Sequence, residues 1–344
     1  MEFTLESVLG RKRRSSILQF EDFKNLENKR ILITGGAGSI GFRLAETILS
    51  RTVHSKVVLL DIDESRLHSS KMSLAPIPRT RAKIHLADIR DFISIENAVQ
   101  ENLPQVVIHA AALKHVAVLE NHSREAFLTN VIGTSNVLKA IQHHNIQNFV
   151  FISTDKAANP SSELGRSKLI GEILTQDFAQ RNKSTAVSIV RFGNVFLSRG
   201  SVVETFMNQI HHKEDVTVTD PNVTRYFIDL DEASQLICKV IVKSQSGISI
   251  LKMGEPFKIL EIAKNLIKIS KSSSKIVFIG LKVGEKLHEE LYTGLEIENS
   301  QDMGEYWNVQ IINRIFDNSR GLKVPNSNAD SSLIMKKIIN EQVL

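Results

Sequence analysis

The stretch Arg30-Ile31-Leu32-Ile33-Thr34-Gly35-Gly36-Ala37-Gly38-Ser39-Ile40-Gly41 decides the architecture of this chain. A short apolar run ends at Thr34, glycines follow at once, and residues 40–50 then place apolar side chains at helical spacing. Strand, glycine turn and helix in that order form the entry to a nucleotide-binding unit. Missing side chains permit the tight turn and let the backbone approach a pyrophosphate, and the helix N-terminus adds free N–H groups and a favourable dipole. Gly36, Gly38 and Gly41 satisfy the dinucleotide fingerprint, and Gly35, Gly38 and Gly41 its wider-spaced variant. The next apolar run closes on Asp61, where a carboxylate can accept from both ribose hydroxyls and would repel a 2′-phosphate. That favours NAD over NADP. The competing role for Asp61 is a turn or helix cap, for which Asp63 is better placed.

Outward from this unit, short apolar runs alternate with amphipathic stretches. Strands are expected at residues 30–34, 56–61, 83–87, 106–110, 148–153 and 186–191. Helices are expected at 40–50, 64–73, 93–101, 123–144 and 164–180. The pattern predicts an α/β fold, a Rossmann-type doubly wound parallel sheet with a smaller C-terminal substrate-binding lobe. After Phe192 the rhythm changes, with helices at 201–212 and 231–243 and a short strand at 216–218. A strand at 248–253 returns to the sheet, and helices follow at 260–268 and 286–291. The expected organisation is a polar leader (1–28), an NAD-binding domain (29–193, joined by 227–253), a substrate lobe (194–226 and 254–325) and a tail (326–344).

Composition limits the function classes. With 42% hydrophobic residues the chain can bury a sizeable core, and 344 residues allow one large domain or two interleaved ones. A single cysteine, Cys238, excludes an internal disulfide or a cysteine-based metal cluster and fits a reducing, cytoplasmic setting. A net charge of +5 suits an anionic small substrate, and it lacks the clustered basic stripe of a nucleic-acid binder. The one basic run, Arg11-Lys12-Arg13-Arg14, reads as a solvated leader. No signal peptide or transmembrane run is visible. His143-His144 and His211-His212 lack the spacing of helical metal ligands and read as surface; no metal is expected.

The chemistry-bearing residues are Asp155 and Lys156, side by side where the fifth strand runs out into Thr154-Asp155-Lys156-Ala157-Ala158-Asn159-Pro160. Ligands of open α/β sheets bind beyond the carboxyl ends of the strands, so an acid and a base there can exchange protons with a substrate. Taken alone, the pair would be a surface ion pair of small worth.

In these stretches the chain resembles the extended short-chain dehydrogenase/reductases, and more narrowly the capsule- and flagellin-glycan UDP-N-acetylglucosamine 4,6-dehydratases. The carriers are residues 34–41, Ala87-Asp88-Ile89-Arg90-Asp91, His109-Ala110-Ala111-Ala112-Leu113-Lys114-His115 and the Thr154-Asp155-Lys156 turn. Arg191-Phe192-Gly193-Asn194, Ser198-Arg199-Gly200-Ser201, Thr224-Arg225-Tyr226-Phe227 and Gly284-Glu285-Lys286-Leu287 extend it over about residues 29–291. The resemblance implies a redox-neutral dehydration on NAD with a UDP-sugar substrate, within a homo-oligomer. It implies Lys156 as base at C5, Asp155 as acid for the leaving water, Thr154 orienting the sugar and Lys168 holding the nicotinamide ribose. Ser39, Ile40, Asp88, Ile89, Ala110 and Ala112 would line the dinucleotide. Lys114, His115, Asn194, Arg199 and Arg225 would meet the nucleotide-sugar, Arg225 at its diphosphate. One departure stands out: the superfamily's Tyr-x-x-x-Lys pattern has Leu164 in the tyrosine position. A 4-epimerase on the same scaffold and a catalytically silent nucleotide-sugar binder are the alternatives.

Overall fold

The computed structural model describes residues 3–14, 18–310, 322 and 324–342. Six parallel strands carry the sheet: β1 (Arg30–Thr34), β2 (Lys56–Asp61), β3 (Ala82–Leu86), β4 (Val106–His109), β5 (Asn148–Ile152) and β6 (Ala186–Arg191). They lie in the order β3-β2-β1-β4-β5-β6, continued by the parallel strand Gly247–Leu251 beside β6. The strand order reverses between β1 and β4, which opens a crevice at their carboxyl ends. Helices cover both faces, so the inner strands read as unbroken apolar runs such as Ile31-Leu32-Ile33, all buried. Register aligns Thr34 of β1 with Leu60 of β2 and His109 of β4, setting three strand ends level at the crevice.

A second, smaller core gathers Phe196, Phe206, Val216, Phe227, Ile262 and Leu266 from helices Val202–His211 and Ile259–Ile269 and the strands between them. The short strand Val216–Val218 falls where expected and pairs with Ile276–Phe278.

Five expectations are corrected. The described residues of 1–28 are not merely a polar leader. Thr4 caps helix Leu5–Leu9, whose Leu5 and Val8 enter the second core, and Phe23 and Leu26 enter the main one. The arginines of the basic run are paired rather than solvated: Arg11 lies 2.7 Å and Arg14 3.3 Å from Glu232, and Arg13 lies 2.6 Å from Asp231. Residues 286–291 form no helix, because the Leu287 carbonyl is committed elsewhere, accepting from the Thr224 N–H at 3.0 Å. The stretch 300–309, assigned to the lobe, instead forms an antiparallel hairpin (Ser300–Asp302 and Tyr306–Val309) on the main sheet's edge. Finally, 123–144 is not one regular helix: Ser123–Ala126 leads into a π-helical stretch, Phe127–Ile132, and then Gly133–Ile141.

The segment beyond 326 is a helix, Asn328–Gln342, packed on Glu163–Arg181, with Met335 fully buried. No helix among the described residues is long and apolar enough to cross a membrane.

Candidate active site

The glycine loop is built so that side chains would not fit. Gly35 has φ +66°, and a Cβ there would lie 2.6 Å from the Ala111 nitrogen. A Cβ on Gly41 would lie 2.3 Å from the Gly35 carbonyl oxygen, so helix Ser39–Arg51 sits hard against the turn. Ser39 and Ile40 open its first turn, directly after the glycine turn that follows β1, and Gly38 provides no side-chain cap there. Asp61 at the end of β2 accepts from the Ala37 N–H at 3.0 Å and from the Asp63 N–H at 3.1 Å. Asp63 caps helix Glu64–Ser73, as its position in the sequence implied. The cradle thus suits a dinucleotide: bare backbone, a helix N-terminus and a carboxylate at the next strand end. A cavity of about 480 Å³ adjoins it, lined by Gly38, Ser39, Arg43, Arg66 and Arg199 among others.

Behind the cradle runs a buried polar relay that sequence reasoning missed. Thr34 Oγ1 and His109 Nδ1 are 2.6 Å apart, and His109 Nε2 lies 3.0 Å from Thr134 Oγ1. Burial, with Lys168 nearby, pushes His109 down to about 3, so the ring is neutral. Asn130 accepts from the Leu113 N–H (2.8 Å) and donates to the Leu113 carbonyl (3.0 Å) and to Ser167 Oγ (2.9 Å). Asn130 lies in the π-helical stretch and fixes the segment after β4, where Ala110 and Ala112 sit. Ile89, also expected at the cofactor, is buried against Gly133, while Asp88 is held below the usual carboxylate range by Arg90, which outweighs burial.

Asp155 and Lys156 form a 3-10 turn, Asp155–Ala157, beyond β5. Asp155 is 1% exposed; its Oδ1 accepts from Thr154 Oγ1 at 2.8 Å and from Lys156 Nζ at 2.9 Å. Its Oδ2 is buried with no hydrogen-bond partner among the described residues. Burial alone would depress Lys156, but Asp155 and then Glu289 outweigh it and hold the ammonium above the ordinary lysine value. The pair is therefore not the weak surface contact that adjacency alone allows.

Lys168 is buried on helix Glu163–Arg181, donating to the Ile152 carbonyl at 2.6 Å with its Nζ 4.0 Å from the Phe151 ring centroid. Burial pushes it down to about 7 despite Glu172. Leu164 turns away into a small apolar cluster with Leu119, Ala126 and Val116. Beneath the turn, Arg191 binds Glu172 (2.5 and 2.7 Å) and Glu296 (2.8 Å), and Ser153 donates to Glu172 at 2.5 Å.

The substrate-side residues divide. Asn194 sits in a two-residue strand paired with Phe227–Ile228. Lys114 donates to the Arg199 carbonyl at 2.7 Å, and His115 packs on Gly200, joining the segments after β4 and β6. Burial lowers both Lys114 and His115. Arg199 itself donates to the Ala37 carbonyl, which places it on the glycine loop rather than apart from it. Arg225 is buried, with Nη2 2.9 Å from Glu285 and Nε 3.9 Å from Glu289. Glu289, which the sequence reading did not single out, also lies 3.7 Å from Lys156. Its only signal was proximity to Gly284-Glu285-Lys286-Leu287.

The family model described as polysaccharide biosynthesis protein matches residues 31–311. The capsular polysaccharide biosynthesis protein CapD of Staphylococcus aureus is 40% identical over 81% of this chain and 47% of its own length. The chain thus spans about half of that relative. A UDP-glucose 4-epimerase of Rickettsia bellii is 34% identical over 83% of this chain and 84% of its own length. Among solved structures, Pen from Bacillus thuringiensis superimposes with a TM-score of 0.78 at 29% identity, covering 93% of this chain and 99% of that one.

Proposed function

The chain belongs to the polysaccharide biosynthesis protein family, within the extended short-chain dehydrogenase/reductases, and from that premise we propose that it is an NAD-dependent nucleotide-sugar 4,6-dehydratase acting on UDP-N-acetylglucosamine. The observation that carries this reading is the pair of buried Asp155 and half-buried Lys156 at 2.9 Å, beyond β5 and on the same edge of the sheet as the glycine loop. NAD bound there supplies one piece of chemistry, taking a hydride from C4 of the sugar and returning it to C6.

The chain's own residues handle the protons. Oxidation at C4 releases the C4 hydroxyl proton, which leaves through water or the Asp155/Lys156 pair because Leu164 cannot accept it. The ketone acidifies the C5 proton, which Lys156 removes; the C6 hydroxyl leaves as water with a proton from Asp155, and C5 is reprotonated once C6 is reduced. In the resting ion pair neither residue is in its working form, since the base must be neutral and the acid protonated. Before the elimination Asp155 must therefore gain a proton and Lys156 must lose one, the two changes meeting at a 2.9 Å contact. Lys168 holds the cofactor's ribose, Asp61 the adenosine ribose, and the Thr154 hydroxyl orients both Asp155 and the sugar.

The Rickettsia relative's name favours a second reading, a 4-epimerase that returns the hydride to C4. Lys156 would then have no proton to take, which is why dehydration is preferred. Mass spectrometry of UDP-N-acetylglucosamine incubated with the protein and NAD⁺ separates them. Loss of one water without accumulating NADH is expected; a product of unchanged mass with inverted C4 would replace dehydration by epimerisation.

A further inference from the structure

Glu289 closes a row of alternating charges that runs from the acid–base turn into the smaller lobe. Asp155 contacts Lys156 at 2.9 Å, Lys156 faces Glu289 at 3.7 Å, and Glu289 faces Arg225 at 3.9 Å. Arg225 ends the row on Glu285 at 2.9 Å. Asp155, Glu289 and Arg225 are buried, so their charges are only weakly screened. Glu285 differs: it is more exposed and also accepts from Thr219 Oγ1 at 3.1 Å and from the Lys282 N–H at 3.2 Å. The other titratable neighbours are Tyr226, which burial holds neutral above its ordinary range, and Glu290, which accepts from Asn159 and faces Lys286 at 3.7 Å.

In the resting row, the two buried carboxylates Asp155 and Glu289 share the positive charges of Lys156 and Arg225, and Arg225 is shared in turn with the more exposed Glu285. A diphosphate that draws on Arg225 removes one of the two positive charges from this set. Two buried carboxylates are then left around a single ammonium, and carboxylates so placed do not both stay ionised. The one buried oxygen of the set with no donor is Oδ2 of Asp155. We infer that Glu289 is a positioning residue that couples diphosphate binding at Arg225 to proton uptake at Asp155, loading the general acid only when the nucleotide-sugar has arrived. The proton comes from a solvent donor and is bound on an Asp155 carboxylate oxygen, no bond of the nucleotide-sugar changes, and Glu289 acts through its neighbours without contacting the sugar. The coupling rests on the nucleotide-sugar reading and adds the order of events: substrate first, acid second.

The test is calorimetric titration of UDP-glucose, a diphosphate diester with no group of its own titrating near neutrality, in two buffers of different ionisation enthalpy at pH 7.5. Wild type should take up about one proton per ligand bound. Glu289→Gln should still bind with uptake reduced to near zero, whereas Glu289→Asp should keep most of it and so control for misfolding. Binding by wild type without uptake, or undiminished uptake in Glu289→Gln, would overturn the coupling alone. Absence of binding by both UDP-glucose and UDP-N-acetylglucosamine would overturn the nucleotide-sugar reading and the coupling with it.

Discussion

Replacing Arg191 with Met tests whether the buried triad beneath the Asp155–Lys156 turn is held together by its charges. Arg191 and Glu172 are essentially inaccessible, and Glu296 is nearly so. Met fills much of the space but leaves two carboxylates facing each other in the interior, a situation that costs about 3–5 kcal/mol. Unfolding entropy of about 2.1 cal/mol/K per residue, applied to a chain of this length, converts that to a fall in Tm of about 4–7 °C. The measurement is differential scanning calorimetry of the protein without added nucleotide. Adding Glu172→Gln and Glu296→Gln to the Met variant should recover most of the loss, because the cost lies in unpaired charge and not in missing volume. A single variant within 1 °C of wild type, or a triple variant as unstable as the single, would refute the argument. Activity should fall in the single variant as well, since the Ser153 hydroxyl that precedes Thr154 and Asp155 rests on Glu172.

Gly41→Ala puts a methyl 2.3 Å from the Gly35 carbonyl, an overlap of the kind that costs about 1–3 kcal/mol; NAD affinity should drop about 10- to 100-fold by titration, and unchanged affinity would remove the cradle from the binding site. Lys156→Met should abolish water loss while NAD binding persists, with full turnover counting against Lys156 as base. Lys168→Met tests linkage: the folded lysine titrates near 7 and the unfolded one near 10.5, so between these values the unfolded chain holds the extra proton. Stability of the nucleotide-free protein should therefore rise from about pH 7 toward pH 10 through this residue, and the Met variant should be more stable at pH 6 and lack that component. Parallel Tm–pH curves for the two proteins would contradict it.

What the sequence disclosed was mostly local. The glycine loop, the six strands and the adjacency of Asp155 and Lys156 follow from spacing within a dozen residues, and they lie where spacing put them. The misreadings share a cause, which is that their partners are remote. Arg11 and Glu232 are separated by more than two hundred positions, as are Val8 and the helix it packs on, so a polar leader and a docked one have the same local pattern. Glu289 looks like any exposed acid until the fold brings it to Lys156. Residues 286–291 have helical spacing, yet the pairing of Leu287 with Thr224 overrides it. Arg199 and Arg225 stood out in the sequence as candidate cations for a nucleotide-sugar, but which group each one faces depends on the placement of loops that periodicity does not report.

The π-helical stretch Phe127–Ile132 gives the helix one residue of slack between two fixed points. Upstream, Asn130 is anchored to Leu113 and Ser167; downstream, Asn136 donates to the Ile89 and Arg90 carbonyls at 3.0 and 2.9 Å. Each residue of an α-helix advances by about 100°, and the wide turn absorbs that rotation for one residue, so Asn136 still meets the loop after β3 and Thr134 still meets His109. Deleting one residue inside the stretch should let it close to a regular α-helix with both anchors kept in phase. A one-residue insertion at the same place finds no slack left and should swing Thr134 and Asn136 off their partners by about that angle, so length in this segment is tolerated in one direction only.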